Sequence, residues 1–232
     1  MMFLGIDPLY WIMMLPVLLL SLWASMKVKS TFKKYSKQAT RSGYNGARVA
    51  EMILQNNGLG NIPVVETKGF LSDHYDPVKK VVRLSPEVYR SNSIAAIGVA
   101  AHETGHALQH AREYKPLVLR NMIAPMASIG SNLSWIIIFA GFIIGALGLV
   151  KVGIVLFSVV VAFQLITLPV EFNASTRAKA VLSSYGIVSA GELKGVNNVL
   201  SAAAMTYVAA AASAIMTLLY FLIRAGLLGG DE

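Results

Sequence analysis

The sequence contains no cysteine. That removes disulfide frameworks and thiolate metal sites together, so a transition metal held by this chain has to be held by imidazole and carboxylate. Charge is also scarce. Asp, Glu, Lys and Arg make up 14% of the 232 residues against 55% hydrophobic, a balance that belongs to integral membrane proteins rather than soluble domains. Histidine is rarer still, with four in the chain. The net charge is +8, yet the basic residues flank apolar segments and are not interleaved with aromatic side chains as on a strand-binding platform. The expected partner is therefore the lipid bilayer and not nucleic acid.

What is abundant is apolar sequence in long runs. Stretches at about 8–26, 131–150, 152–169 and 202–223 each have roughly the length that a spanning helix needs. The middle two are expected to be joined by a tight turn near Lys151. Asp7 precedes the first run, and no Lys or Arg does. A cleavable signal peptide starts with positive charge, so this run reads as a retained anchor with its N-terminus outside. Four crossings put the C-terminus outside as well. Lys27, Lys29, Lys33, Lys34, Lys37 and Arg41 follow the first run, and Arg112, Lys115 and Arg120 precede the second, which assigns both intervening loops to the cytoplasmic side of a cell membrane. The expected division is an anchor at 1–26, a cytoplasmic module at 27–120, a membrane hairpin at 121–170, a cytoplasmic helix at 171–201, and a last span with its tail at 202–232.

The module at 27–120 carries its own folding signals. Asn45 can cap a helix on which Ala47, Ala50, Ile53 and Leu54 recur at helical spacing, with Asn57-Gly58 as its stop. Val64-Val65 and Val81-Val82-Arg83-Leu84 read as the strands of a hairpin around an Asp76-Pro77 turn. Ser85-Pro86-Glu87 caps a helical start, and an alanine-rich helix from about Ser93 to Glu113 ends before Pro116. The fold class that follows is a mainly α membrane protein: four transmembrane helices with a small α+β module on the cytoplasmic side.

The chemistry sits on the alanine-rich helix. His-Glu-Thr-Gly-His at 102–106 matches HExxH, in which residues four apart share a helical face, so that two imidazoles can grip one ion with the intervening glutamate beside it. Zinc lowers the pKa of a bound water toward about 7, and Glu103 is placed to take its proton as the water attacks a peptide carbonyl. The plain alternative is a helix with two hydrogen-bonded histidines. A catalytic zinc takes three protein ligands. His110 continues the spacing but lies about 12 Å along the axis from His102, too far to share an ion. A histidine ten positions after the first is excluded, because Arg112 stands there. A glutamate from a second helix remains, and topology points to Glu171, just after Pro169. Ala174, Ser175 and Ala178 near it would let two helices approach closely. The alternative for Glu171 is a residue that merely ends a span.

Other residues carry weaker signals. His74 and Tyr75 on the hairpin are candidates for substrate contact or an oxyanion hydrogen bond, and the hairpin edge can take an extended peptide as an added strand. Arg177 is either a charge stabiliser near the site or a membrane anchor. Ser189 and Glu192 form a capping box.

These residues resemble the YugP-like family of bacterial membrane neutral zinc metallopeptidases. The likeness covers nearly the whole chain and rests on LSDHYDPVKKVVRLSPEVY at 71–89, SIAAIGVAAHETGHALQHA at 93–111, GSNLSW at 130–135 and LPVEFNASTRA at 168–178. It implies a zincin-like peptidase of the cytoplasmic membrane, with His102 and His106 as zinc ligands, Glu103 as base and one Zn2+ per chain. More distantly, EFNAS at 171–175 is similar to the ExxAD element of HtpX-like membrane proteases, in which the glutamate is the third ligand. Here Ser175 replaces the aspartate, which leaves the orientation of one histidine to another partner.

The expected function is a zinc-dependent endopeptidase acting on peptide or protein substrates, chiefly membrane-associated ones, in membrane protein quality control. The competing class is a non-catalytic peptide-binding scaffold or adaptor, against which Glu103 argues, since a structural zinc site is closed by four ligands and needs no base. A transporter would place ionisable groups inside the spans, and Gln164 is the prominent polar residue there.

Overall fold

The computed structural model describes residues 7–228. The expected placement of both chain ends outside the membrane falls partly on residues beyond these. The elements in chain order are α1 (Pro8–Tyr35), α2 (Gly46–Asn56), β1 (Val64–Glu66), β2 (His74–Asp76), β3 (Val81–Leu84), α3 (Pro86–Tyr89), α4 (Ile94–Ala111), α5 (Lys115–Ile144), α6 (Leu147–Ser184) and α7 (Ala190–Arg224). The described residues divide into two compact units, one made of residues 7–24, 118–168 and 206–228, the other of 25–117 and 169–205.

The first unit is built from parts of the four helices α1, α5, α6 and α7, each long and apolar enough to cross a membrane. Its interior packs Met13, Ile138, Val150, Ile154, Tyr220 and Phe221. Leu18, Leu19, Leu22, Ile136, Ile143 and Val155 point outward, as expected where the solvent is hydrocarbon. The α5–α6 turn is not near Lys151. It lies at Gly145, whose φ of 71° is the left-handed conformation glycine adopts without strain. Lys151 continues α6.

The second unit contains a three-stranded sheet in the order β1-β3-β2, packed with α2, α3 and α4. Asn45 caps α2 by accepting from the Arg48 amide, and Ser93 caps α4 by accepting from Ala96. Ala47, Ala50, Ile53 and Leu54 are all buried. The expected hairpin takes a different form. Val64–Glu66 runs parallel to β3, and the antiparallel partner of β3 is β2, which pairs Tyr75 with Val82 around the Asp76-Pro77 turn. Pro116 sits in the first turn of α5, where its missing amide costs nothing, so it starts a helix rather than ending one. Two apolar clusters hold the unit together, one beneath the sheet around Val82, Leu84, Ala96 and Ala100, the other around Ile53, Ile97, Leu182 and Val196.

Candidate metal centre

All the residues of the site belong to the second unit. Helix α4 is alanine-rich and buried on most of its circumference, which lets neighbouring helices approach to backbone distance. At Gly105 the approach is closest: a Cβ there would stand 2.8 Å from the Ala174 carbonyl oxygen of α6. Ala174 and Ala178 are fully buried. The small residues on both helices therefore bring the HETGH turn against the turn of α6 that carries Glu171.

Three donors converge at this crossing. Among the described residues, His102, His106 and Glu171 form a group whose ligand atoms lie within 4.8 Å of one another. Glu171 Oε2 is 3.2 Å from His102 Nε2 and 3.6 Å from His106 Nε2. Ligand atoms of a tetrahedral zinc, with bonds of about 2.0–2.2 Å, stand roughly 3.3 Å apart, so the spacing fits an ion bound between them. Two nitrogens and one carboxylate oxygen are also the donor set of zinc sites that keep a fourth position open. Burial disfavours charge on His106, but the hydrogen bond it donates to Glu171 and the negative charges of Glu103 and Glu171 outweigh it and raise its pKa above the ordinary value. The pocket is thus biased toward holding a cation, a proton or a metal.

Each imidazole is held from behind. His102 Nδ1 is 3.1 Å from Ser175 Oγ, and His106 Nδ1 is 3.0 Å from Gln109 Oε1. Gln109 is fully buried and donates through Nε2 to the Val170 carbonyl at 2.8 Å and to Asn173 Oδ1 at 3.0 Å. Arg177 Nε donates to the same Asn173 oxygen at 2.7 Å, and its guanidinium lies over the Tyr114 ring. Sequence reading missed Gln109, although a glutamine three residues after His106 on the same helical face was a usable signal.

Glu103 is buried beside the group. Asp73, also missed, accepts from the Ser85 amide at 2.7 Å and from its hydroxyl at 3.0 Å. Burial raises the Asp73 pKa, and the charge of Glu103 adds to the rise. The remaining candidates stand elsewhere. His74 is exposed and contacts the Ser72 carbonyl. The Tyr75 hydroxyl meets His110 Nδ1 at 2.9 Å, which ties β2 to the last turn of α4 and gives His110 a packing partner. Ser189 and Glu192 exchange the two hydrogen bonds of a capping box, and Glu192 also accepts from the Arg41 amide.

Comparison with known proteins agrees with this chemistry. The family described as "Putative neutral zinc metallopeptidase" matches residues 10–226. A protein of Bacillus subtilis (strain 168) named "Putative membrane protease YugP" is 53% identical over 213 residues, which cover 92% of this chain and 94% of the relative. No solved structure gives a significant match. With nearly the whole chain inside the family match and a His-His-Glu group that can hold a metal ion, the chain belongs to this zinc metallopeptidase family.

Proposed function

We propose that the chain is an integral membrane endopeptidase that holds one zinc ion per chain between His102, His106 and Glu171 and uses Glu103 as its general base. The observation that carries this reading is the convergence of His102 Nε2, His106 Nε2 and Glu171 Oε2, with Glu103 following the first of them in the chain. Bound zinc supplies a Lewis acid, which makes a neighbouring water reactive near neutral pH and polarises a carbonyl. The rest is the work of the protein's own groups. Glu103 accepts the proton of the attacking water and returns it to the amine nitrogen as the peptide C–N bond breaks. Burial of Glu103 and Glu171 keeps bulk water from screening either charge. Strand β2 lies at the sheet edge, where an extended peptide can add as a further strand beside Tyr75 and His74. This favours cleavage within a chain over trimming at its ends.

The lysines after the apolar part of α1 support a site on the cytoplasmic side of the cell membrane, and the substrates in this reading are membrane-associated chains handled in quality control. Two experiments test the reading. Glu103→Gln is expected to keep zinc but to lose hydrolysis of a quenched peptide library by a factor of about 10² or more; undiminished turnover in a zinc-loaded, clean preparation sinks the role of Glu103. Because the chain has no cysteine, a single Val78→Cys at an exposed position reports sidedness. It should resist an impermeant thiol reagent in intact cells and react in inverted vesicles, and the reverse pattern places the module outside.

A further inference from the structure

We infer that Gln109 is a positioning residue that fixes the metal-binding tautomer of His106, and that the chain does this with a neutral amide rather than a carboxylate. The inference rests on the metal reading above and goes beyond it.

An imidazole that presents Nε2 to a metal must carry its proton on Nδ1, and the group that accepts this proton chooses the tautomer. Gln109 Oε1 stands 3.0 Å from His106 Nδ1. A glutamine can present either end, but here its direction is set from the far side. Nε2 of Gln109 faces the Val170 carbonyl at 2.8 Å and Asn173 Oδ1 at 3.0 Å, and both are acceptors. Turning the amide over would set its oxygen against two oxygens in a fully buried position, and such a mismatch costs far more than the hydrogen bonds return. Asn173 is fixed in its turn, because Arg177 Nε donates to the same Oδ1 at 2.7 Å. Arginine has no acceptor to offer. The order therefore runs one way, from Arg177 through Asn173 and Gln109 to His106, and it leaves Nε2 of His106 toward Glu171.

The two histidines are treated differently. His102 faces the Ser175 hydroxyl at 3.1 Å, and a hydroxyl accepts or donates equally well. His102 can change tautomer as the occupant of the site changes, whereas His106 cannot. Val170 and Asn173 also flank Glu171 on α6. One side chain on α4 thus aligns the second ligand and grips the helical turn that carries the third.

The experiment compares Gln109→Met, which fills a similar volume without hydrogen bonds, with Gln109→Glu, which restores an acceptor to Nδ1 but cannot donate to Val170 or Asn173. Zinc affinity of the detergent-solubilised full chain is read by chelator competition, and nitrogen NMR of 15N-histidine protein reads the protonated nitrogen of His106. Positioning predicts a fall in affinity of roughly 10- to 100-fold for Gln109→Met, a smaller fall for Gln109→Glu, whose second oxygen loosens the fold against Val170 and Asn173 while its first still accepts from Nδ1, and a wild-type His106 protonated at Nδ1. A mere bridge between helices predicts that both variants fall together. That result, wild-type affinity in Gln109→Met, or a wild-type His106 protonated only at Nε2, overturns the inference while leaving the metal site standing. If Gln109→Met does not fold, the NMR reading of the wild-type protein still decides. A wild-type chain that binds no zinc removes both readings at once.

Discussion

Asp7 and Glu171 are carboxylates of two different units, buried alike at 2% and 3% exposure, yet they do different things. Asp7 begins α1 by accepting the Leu9 amide and then meets the Tyr220 hydroxyl at 2.7 Å and the Arg224 guanidinium at 2.7 Å. Its partner cation is permanent, because arginine does not give up its proton. Glu171 faces two imidazoles, each of which can carry a proton or surrender it. The first arrangement closes on itself and fastens two helices; the second leaves its cation exchangeable. Burial of a carboxylate is therefore no mark of a functional site. The chemistry of its partners is.

The contrast is sharpest in metal content. His106→Ala is expected to abolish stoichiometric zinc binding, whereas Arg224→Met is expected to leave it intact and to lower only the unfolding temperature. Elemental analysis beside a thermal melt reads both, and equal zinc loss in the two variants would break the distinction. A smaller effect is expected from Gly105→Ala. Its Cβ would meet the Ala174 carbonyl at 2.8 Å, so the helices must separate, which costs about 1–3 kcal/mol and weakens zinc binding. Gly98→Ala is the milder control, since its Cβ would meet a Val196 methyl at 3.2 Å. If the two variants bind zinc equally, the crossing at Gly105 does not set the site.

A third expectation concerns pH. His106 has a folded pKa above its ordinary 6.5, so its protonation stabilises the metal-free fold. That stabilisation is fully present below about pH 6.5 and is lost as pH rises through the folded value. Zinc needs the deprotonated imidazole, so the loaded form changes in the opposite sense. The gap in unfolding temperature between zinc-loaded and chelator-treated protein should widen as pH rises across this window. Asp73, with a pKa raised by burial, influences both forms and largely cancels in the gap. A gap independent of pH would contradict the picture of proton and metal competing for one place. The smallest effect expected is that of Ser175→Ala, which removes a partner of His102 that fixes no tautomer. Zinc affinity should fall less than in Gln109→Met, and chelator competition orders the two.

What was legible in the sequence follows the range of the interactions. The HETGH turn and the cap at Asn45 are local, so spacing alone gives them. Glu171 was reachable because it follows Pro169, where the third apolar run is expected to emerge on the same side as the HETGH helix, although its pairing with His102 joins residues 69 apart in sequence. The strand order was not legible. Strands of three and four residues carry too little alternation to register, and the parallel partner of β3 is a contact that no hairpin rule contains. The turn at Gly145 was hidden by continuous apolar sequence on either side, where only the left-handed φ marks the break. Gln109 escaped because a glutamine on a helix is ordinarily a solvent-facing residue, and its meaning depends on Val170 and Asn173 of another helix.

The central claim is that Glu171 completes a three-ligand site with His102 and His106. Elemental analysis of detergent-purified wild type, Glu171→Ala and His110→Ala tests it most directly. The account predicts one zinc per chain in wild type and in His110→Ala, and loss of most of it in Glu171→Ala. Full zinc retention in Glu171→Ala would contradict it.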